Sequence, residues 1–128
     1  MKTNITTTQD QSERLLRCGV SADTADMARY EDDSVPMMPW DWTTGSYGGT
    51  FPAWSLSALL GLLPDIITYG GYQWGMFMTK LNKDCVCISY ARWDNFNSTI
   101  GHLSGDAIEA CVKAIKWLTE NNYKLNEQ

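Results

Sequence analysis

The stretch YQWGMFMTKLNKDCVCISYARW, residues 72–93, decides the architecture, because its apolar residues alternate with a period of two on both sides of a polar Asn82-Lys83-Asp84 turn. A three-residue loop sets Leu81 opposite Cys85, which brings Met78 to Ile88, Met76 to Tyr90 and Trp74 to Arg92. One face of the hairpin is then almost wholly apolar. A two-residue loop sets Met78 opposite Cys87 and mixes the faces, and such a one-residue slip is disfavoured wherever one face is buried. Strands over 72–81 and 85–93 follow, preceded by a short β-like run over 66–69 and the Gly70-Gly71 turn.

A sheet this small needs covering helices. Ser55 caps a helix over 56–63, in which Leu56, Leu59, Leu60 and Leu63 follow the i, i+3, i+4, i+7 template before Pro64 ends it. Ser104 is expected to cap a longer helix over 105–120, striped by Ile108, Cys111, Val112, Ile115 and Leu118 and stopped at Asn121-Asn122. Two more helices are expected near the amino terminus. One covers 9–18, with Thr7 or Thr8 as cap, and the other covers 22–30, capped by Ser21 with alanines along one side. Residues 94–103 read as a polar, turn-rich connection and residues 1–8 as a flexible terminus. Between them, the stretch 34–53 carries three prolines, three glycines and two tryptophans, a wrapped aromatic connection that carries function or hides short strands. The fold class is therefore α+β, a single domain spanning 1–128 with a small antiparallel sheet packed by helices.

The 128 residues carry a net charge of −5, which disfavours nucleic acid as a partner, since such binders present a basic surplus. No apolar run approaches the ~20 residues that cross a bilayer and the first ten residues are polar, so neither a membrane partner nor secretion is expected, and the location is expected to be cytoplasmic. The four cysteines, Cys18, Cys85, Cys87 and Cys111, are spread over separate elements and read as reduced thiols. Cys85-x-Cys87 places two sulfurs on one strand face. Only Cys18, Cys111 and His102 could complete a tetrahedral metal site, and none stands at a zinc-finger spacing, so neither metal nor other cofactor is expected.

His102 is the only imidazole that could serve as a base for a nucleophile, and Asp41, flanked by Trp40 and Trp42, is the only acid set among rings that could stack on a sugar. They support an alternative, a small hydrolase using His102 or Asp41. The aromatic load favours binding instead: six Trp, six Tyr and three Phe exceed what one small core houses. Trp40, Trp42, Tyr47, Trp74 and Trp93, with Arg92, stand in loops or near strand ends and are the candidate ligand or interface residues. Such surface implies self-association, in the commonest case as a homodimer, or docking of a protein or a small aromatic-stacking ligand.

Three stretches, TQDQSERLLRCG at 8–19 running into TADM at 24–27, PAWSLSALLGLLP at 52–64, and 106–121 from Asp106-Ala107 to WLTEN, resemble a group of small proteins of gut Bacteroides-type bacteria and their prophages. The central stretch is the most specific, with tryptophan, serine and two prolines bracketing the leucines. The resemblance implies a bacterial or phage-borne cytosolic protein, and it carries over no catalytic residue. It does not extend to 30–51 or to 66–75.

Overall fold

In the computed structural model, residues 5–30 and 50–126 are described. The elements are helix α1 (Gln9–Arg17), strands β1 (Met27–Tyr30) and β2 (Thr50–Ala53), helix α2 (Leu56–Leu62), strands β3 (Ile66–Tyr69), β4 (Tyr72–Asn82), β5 (Cys85–Arg92) and β6 (Asn95–Gly105), and helix α3 (Ala107–Glu120). Strands β3-β4-β5-β6 form an antiparallel meander, while β1 and β2 pair in a separate two-stranded sheet. This is the expected α+β class.

The core lies between the meander and the helices. Trp74, Ile88 and Tyr90 of the sheet meet Ile108, Cys111, Val112, Ile115 and Leu118 of α3, with Leu59 and Leu62 of α2 and Leu15 of α1 closing the sides. Tyr90 is fully buried, and its hydroxyl donates to the Pro64 carbonyl at 2.8 Å, so the polar end of the ring is satisfied without water. Burial, with a smaller contribution from the Asp65 charge, pushes the Tyr90 hydroxyl well above the usual tyrosine range. The carboxylate of Glu109 on α3 receives both guanidinium nitrogens of Arg14, at 3.0 and 2.8 Å, and the Gln11 amide at 2.8 Å, which locks α1 to α3.

The hairpin register is as expected at Trp74↔Arg92, Met76↔Tyr90 and Met78↔Ile88, but the loop is not. Asn82 pairs with Cys85, leaving a two-residue turn, and an irregularity between Lys80 and Asn82 absorbs one residue at Leu81. The bulge reconciles a short turn with apolar pairing on one face.

Four further expectations are corrected. Residues 22–30 are not one helix: Ala22–Thr24 make a single 3-10 turn, and 27–30 extend as β1, paired Met27↔Ala53 through Tyr30↔Thr50. Strand pairing satisfies the backbone there. Asp26 meanwhile accepts from Ser55 N at 2.9 Å and Ser55 Oγ at 2.5 Å, tying this segment to the start of α2. Residues 95–105 are a strand, not a connection, because their polar side chains occupy the face away from the core while Ile100 and Leu103 turn inward. Asp106, not Ser104, caps the last helix, accepting from Glu109 N at 2.9 Å, since Ser104 is still paired with Cys87 in the sheet. Finally, Thr6 and Thr7 are buried: Thr7 N–H donates to the Trp54 carbonyl at 2.9 Å, and its hydroxyl bonds Ser12 at 2.7 Å and accepts from Trp54 N at 3.1 Å. The segment just before α1 is therefore part of the core, not a loose end.

Candidate ligand-binding groove

Because side chains alternate along a strand, the residues between the core positions of the meander turn to its opposite face. One row of Cα partners crosses all four strands there: Ile66↔Gly75, Gly75↔Ala91 and Ala91↔Thr99. The next row sets Phe77 opposite Ser89. Small residues at the centre of the first row and large apolar ones around it leave a groove of about 580 Å³, floored by Gly75 and Ala91 and walled by Ile66, Phe77, Trp93 and Phe96.

Gly75 lets the neighbouring ring approach closely. A Cβ there would stand 3.1 Å from the Trp93 ring, so the missing side chain lets the indole lie down on β4. Phe96 packs edge-on against Trp93 with centroids 6.5 Å apart. Trp93 belongs to the two-residue turn between β5 and β6, and its backbone N–H donates to the Gln73 carbonyl at 3.1 Å. Arg92 fixes that turn. Its guanidinium makes two bonds to Asp94, at 2.8 and 2.7 Å, and stands 3.6 Å from the centroid of the Tyr72 ring. The hydrogen bond from Arg92 holds the Asp94 carboxyl below its ordinary range.

Further along the same sheet face, β6 carries a bulge. Ile88 pairs with Leu103 and Tyr90 with Ile100, so the single residue Ser89 faces both Gly101 and His102. Gly101 takes φ +71°, the left-handed conformation of a glycine bulge. The extra residue keeps Ile100 and Leu103 against the core and turns His102 to the outer face of the sheet. There Nδ1 of His102 lies 3.3 Å from Ser89 Oγ and Nε2 lies 2.9 Å from Thr99 Oγ1, while Cys87 Sγ lies 3.6 Å from the same serine.

As a catalytic pair, Ser89 and His102 are poorly placed. Ser89 is 3% exposed, so a carbonyl carbon has no approach to its oxygen, and among the described residues His102 is oriented by a threonine hydroxyl and not by a carboxylate. The arrangement can hold and orient a polar group. Among the described residues no group of three or more His, Cys, Asp or Glu could hold a metal ion.

Of the residues singled out from the sequence, Trp93 is in the groove wall, Arg92 braces the adjoining turn, and His102 stands elsewhere on β6, outside the groove lining. Trp74 is not on this face: it is buried in the core, with its indole N–H donated to the Tyr69 carbonyl at 2.9 Å. Trp40, Asp41, Trp42 and Tyr47 lie outside the described residues. Sequence reasoning missed Ile66, Gly75, Phe77, Ala91, Ser89 and Phe96. For Ile66 and Phe77 the signal was available, since large apolar residues stood at positions whose parity turns them away from the core. No protein-family model, no curated protein and no solved structure matches this chain.

Proposed function

We propose that the protein is a non-catalytic binding module whose site is the groove on the outer sheet face, and that it takes a flat, apolar small molecule. The observation that carries this reading is the pairing of a Gly75-Ala91 floor with exposed rings: Trp93 is 55% exposed, Phe96 68% and Phe77 38%, and Ile66 beside them 46%. A volume of about 580 Å³ falls within the range that encloses small ligands. With about 150–250 Å² carried by each aromatic ring, the exposed parts of these four side chains amount to roughly 400 Å². That is about half of what each partner contributes to a stable protein interface.

A homodimer is the competing occupant and would have to recruit further surface. Strand pairing offers it little, because edge strand β3 has four residues and edge strand β6 is interrupted by bulges. A bacterial or phage-borne, cytoplasmic origin belongs to the same proposal and rests on the sequence resemblance. Among the described residues, no helix is long and apolar enough to cross a membrane.

The test is a thermal-shift screen of planar aromatic compounds on the wild type and on Ala91→Leu, which fills the floor. Binders that stabilise the wild type and lose their effect in the folded variant support the reading. Stabilisation unchanged by Ala91→Leu, or none from any planar compound, overturns it. Concentration-dependent sedimentation abolished by Ala91→Leu would assign the groove to a second copy instead. The Ser89–His102 contact favours a second reading, hydrolysis, which requires turnover of activated esters lost in His102→Ala; no turnover is expected.

A further inference from the structure

The aromatic and aliphatic walls of the groove carry no ionisable group, and Asp65 is the one titratable residue in the lining. It stands just before β3, beside the Ile66↔Gly75 pair, and its carbonyl accepts from the Met76 N–H at 2.9 Å. The fold uses this residue through its backbone. Asp65 is exposed, and among the described residues its carboxylate meets no hydrogen-bond donor and no cation of the protein. Other carboxylates at joints of the fold are engaged, Asp26 by Ser55, Asp94 by Arg92 and Glu109 by Arg14. A carboxylate left open in the lining of an apolar groove sets the sign of the charge that can enter: an anion is repelled and a cation is drawn in. The rings act in the same direction. The Trp93 indole covers Gly75, so the surface offered over that part of the floor is itself aromatic, and the faces of such rings attract an ammonium ion. The net charge of −5 adds a weak, salt-screened attraction of the same sign.

We infer that the ligand is an aromatic amine bound as its ammonium ion, with the charged nitrogen at Asp65 and the apolar body against Phe77 and the exposed surface of Trp93. This rests on the binding reading above and adds the chemical class of the ligand. A neutral ligand that filled the groove would take water from the Asp65 carboxylate and return no partner, whereas an ammonium replaces the donors that are lost.

Calorimetric titration at pH 7 with 2-naphthylmethylamine and with its neutral counterpart 2-naphthylmethanol tests the assignment on the wild type, Asp65→Asn and Ala91→Leu. The wild type is expected to bind the amine about tenfold more tightly than the alcohol, the combined scale of one exposed ion pair and one cation–π contact. Asp65→Asn is expected to cut this preference to about threefold, the share that the rings supply. Ala91→Leu is expected to remove binding of both. If the wild type binds the alcohol as tightly as the amine, the inference fails and the binding module stands. A preference for the amine that is undiminished in Asp65→Asn also overturns the inference. If neither compound binds the wild type, both readings fall together, and the comparison of amine with alcohol needs no variant to fold.

Discussion

Replacing Gly101 by alanine tests the bulge that turns His102 to the outer sheet face, and its cost has two separable parts. The residue sits at φ +71°, where a side chain adds roughly 1–2 kcal/mol of backbone strain. The new Cβ would also lie 3.1–3.2 Å from three atoms at the tip of the Trp117 ring. That ring has little room to retreat, being stacked on Tyr90 at 6.1 Å and packed on Tyr123 at 5.7 Å, so overpacking adds about 1–2 kcal/mol. The sum, about 2–4 kcal/mol, is a large share of a domain's stability but leaves the variant folded. For a chain of this length each kcal/mol lowers Tm by about 4 °C, so Gly101→Ala should melt roughly 8–15 °C below wild type. In a Trp117→Leu background the ring contact is gone and only the strain remains, so the same substitution should cost about half as much. Thermal melts followed by far-ultraviolet circular dichroism on the four proteins give both numbers. A loss below about 3 °C, or equal losses in the two backgrounds, would refute the reasoning about the bulge.

Two further outcomes follow from charge and burial. Burial raises the Glu109 pKa, but hydrogen bonds from Arg14 and Gln11 outweigh it and leave the carboxyl below its ordinary range. A carboxyl lowered in the folded state contributes stability above its unfolded pKa and loses it as pH falls through the folded value. Glu109→Gln should therefore cost about 1–2 kcal/mol at pH 7, and urea titrations should show the gap closing below the carboxylate range; a gap independent of pH would contradict the pairing. Burial pushes the Cys111 thiol up to about 12, so at pH 8 it should resist a disulfide reagent until the protein unfolds, while the part-exposed Cys85 and Cys87 react first. Mass spectrometry of the labelled peptides decides the order, and early labelling of Cys111 would place it nearer the surface than the fold allows.

The apolar alternation of 72–93 was enough to fix three cross-strand pairs, because only one register buries Met76, Ile88 and Tyr90 together. It could not fix the turn length, since the bulge at Leu81 compensates for a residue that the loop does not use. Strand β6 was hidden by a similar device. Its core residues Ile100 and Leu103 are three apart, not two, because Gly101 and His102 share the place opposite Ser89. A glycine between β-prone neighbours was the trace left in the sequence. Alanines at 22, 25 and 28 imitate a helical face, whereas the partner that makes 27–30 a strand lies beyond residue 49 and no local pattern announces it. The site shows the same division. Trp93 was legible as an unusual side chain, but the floor of Gly75 and Ala91 carries no chemistry of its own and becomes a site only when the strands align.

The central claim, a ligand groove on the outer sheet face, is tested most directly by mapping amide and indole N–H resonances of labelled protein during titration with the planar aromatic compound that stabilises it most in the thermal-shift screen. The indole N–H of Trp93 and the amides of Gly75, Phe77 and Ala91 should shift progressively and saturate. The indole N–H signals of Trp54, bonded to Thr24, and Trp74, bonded to Tyr69, should stay in place. Saturating shifts confined to other surfaces, with Trp93 and Ala91 unmoved, would contradict the account.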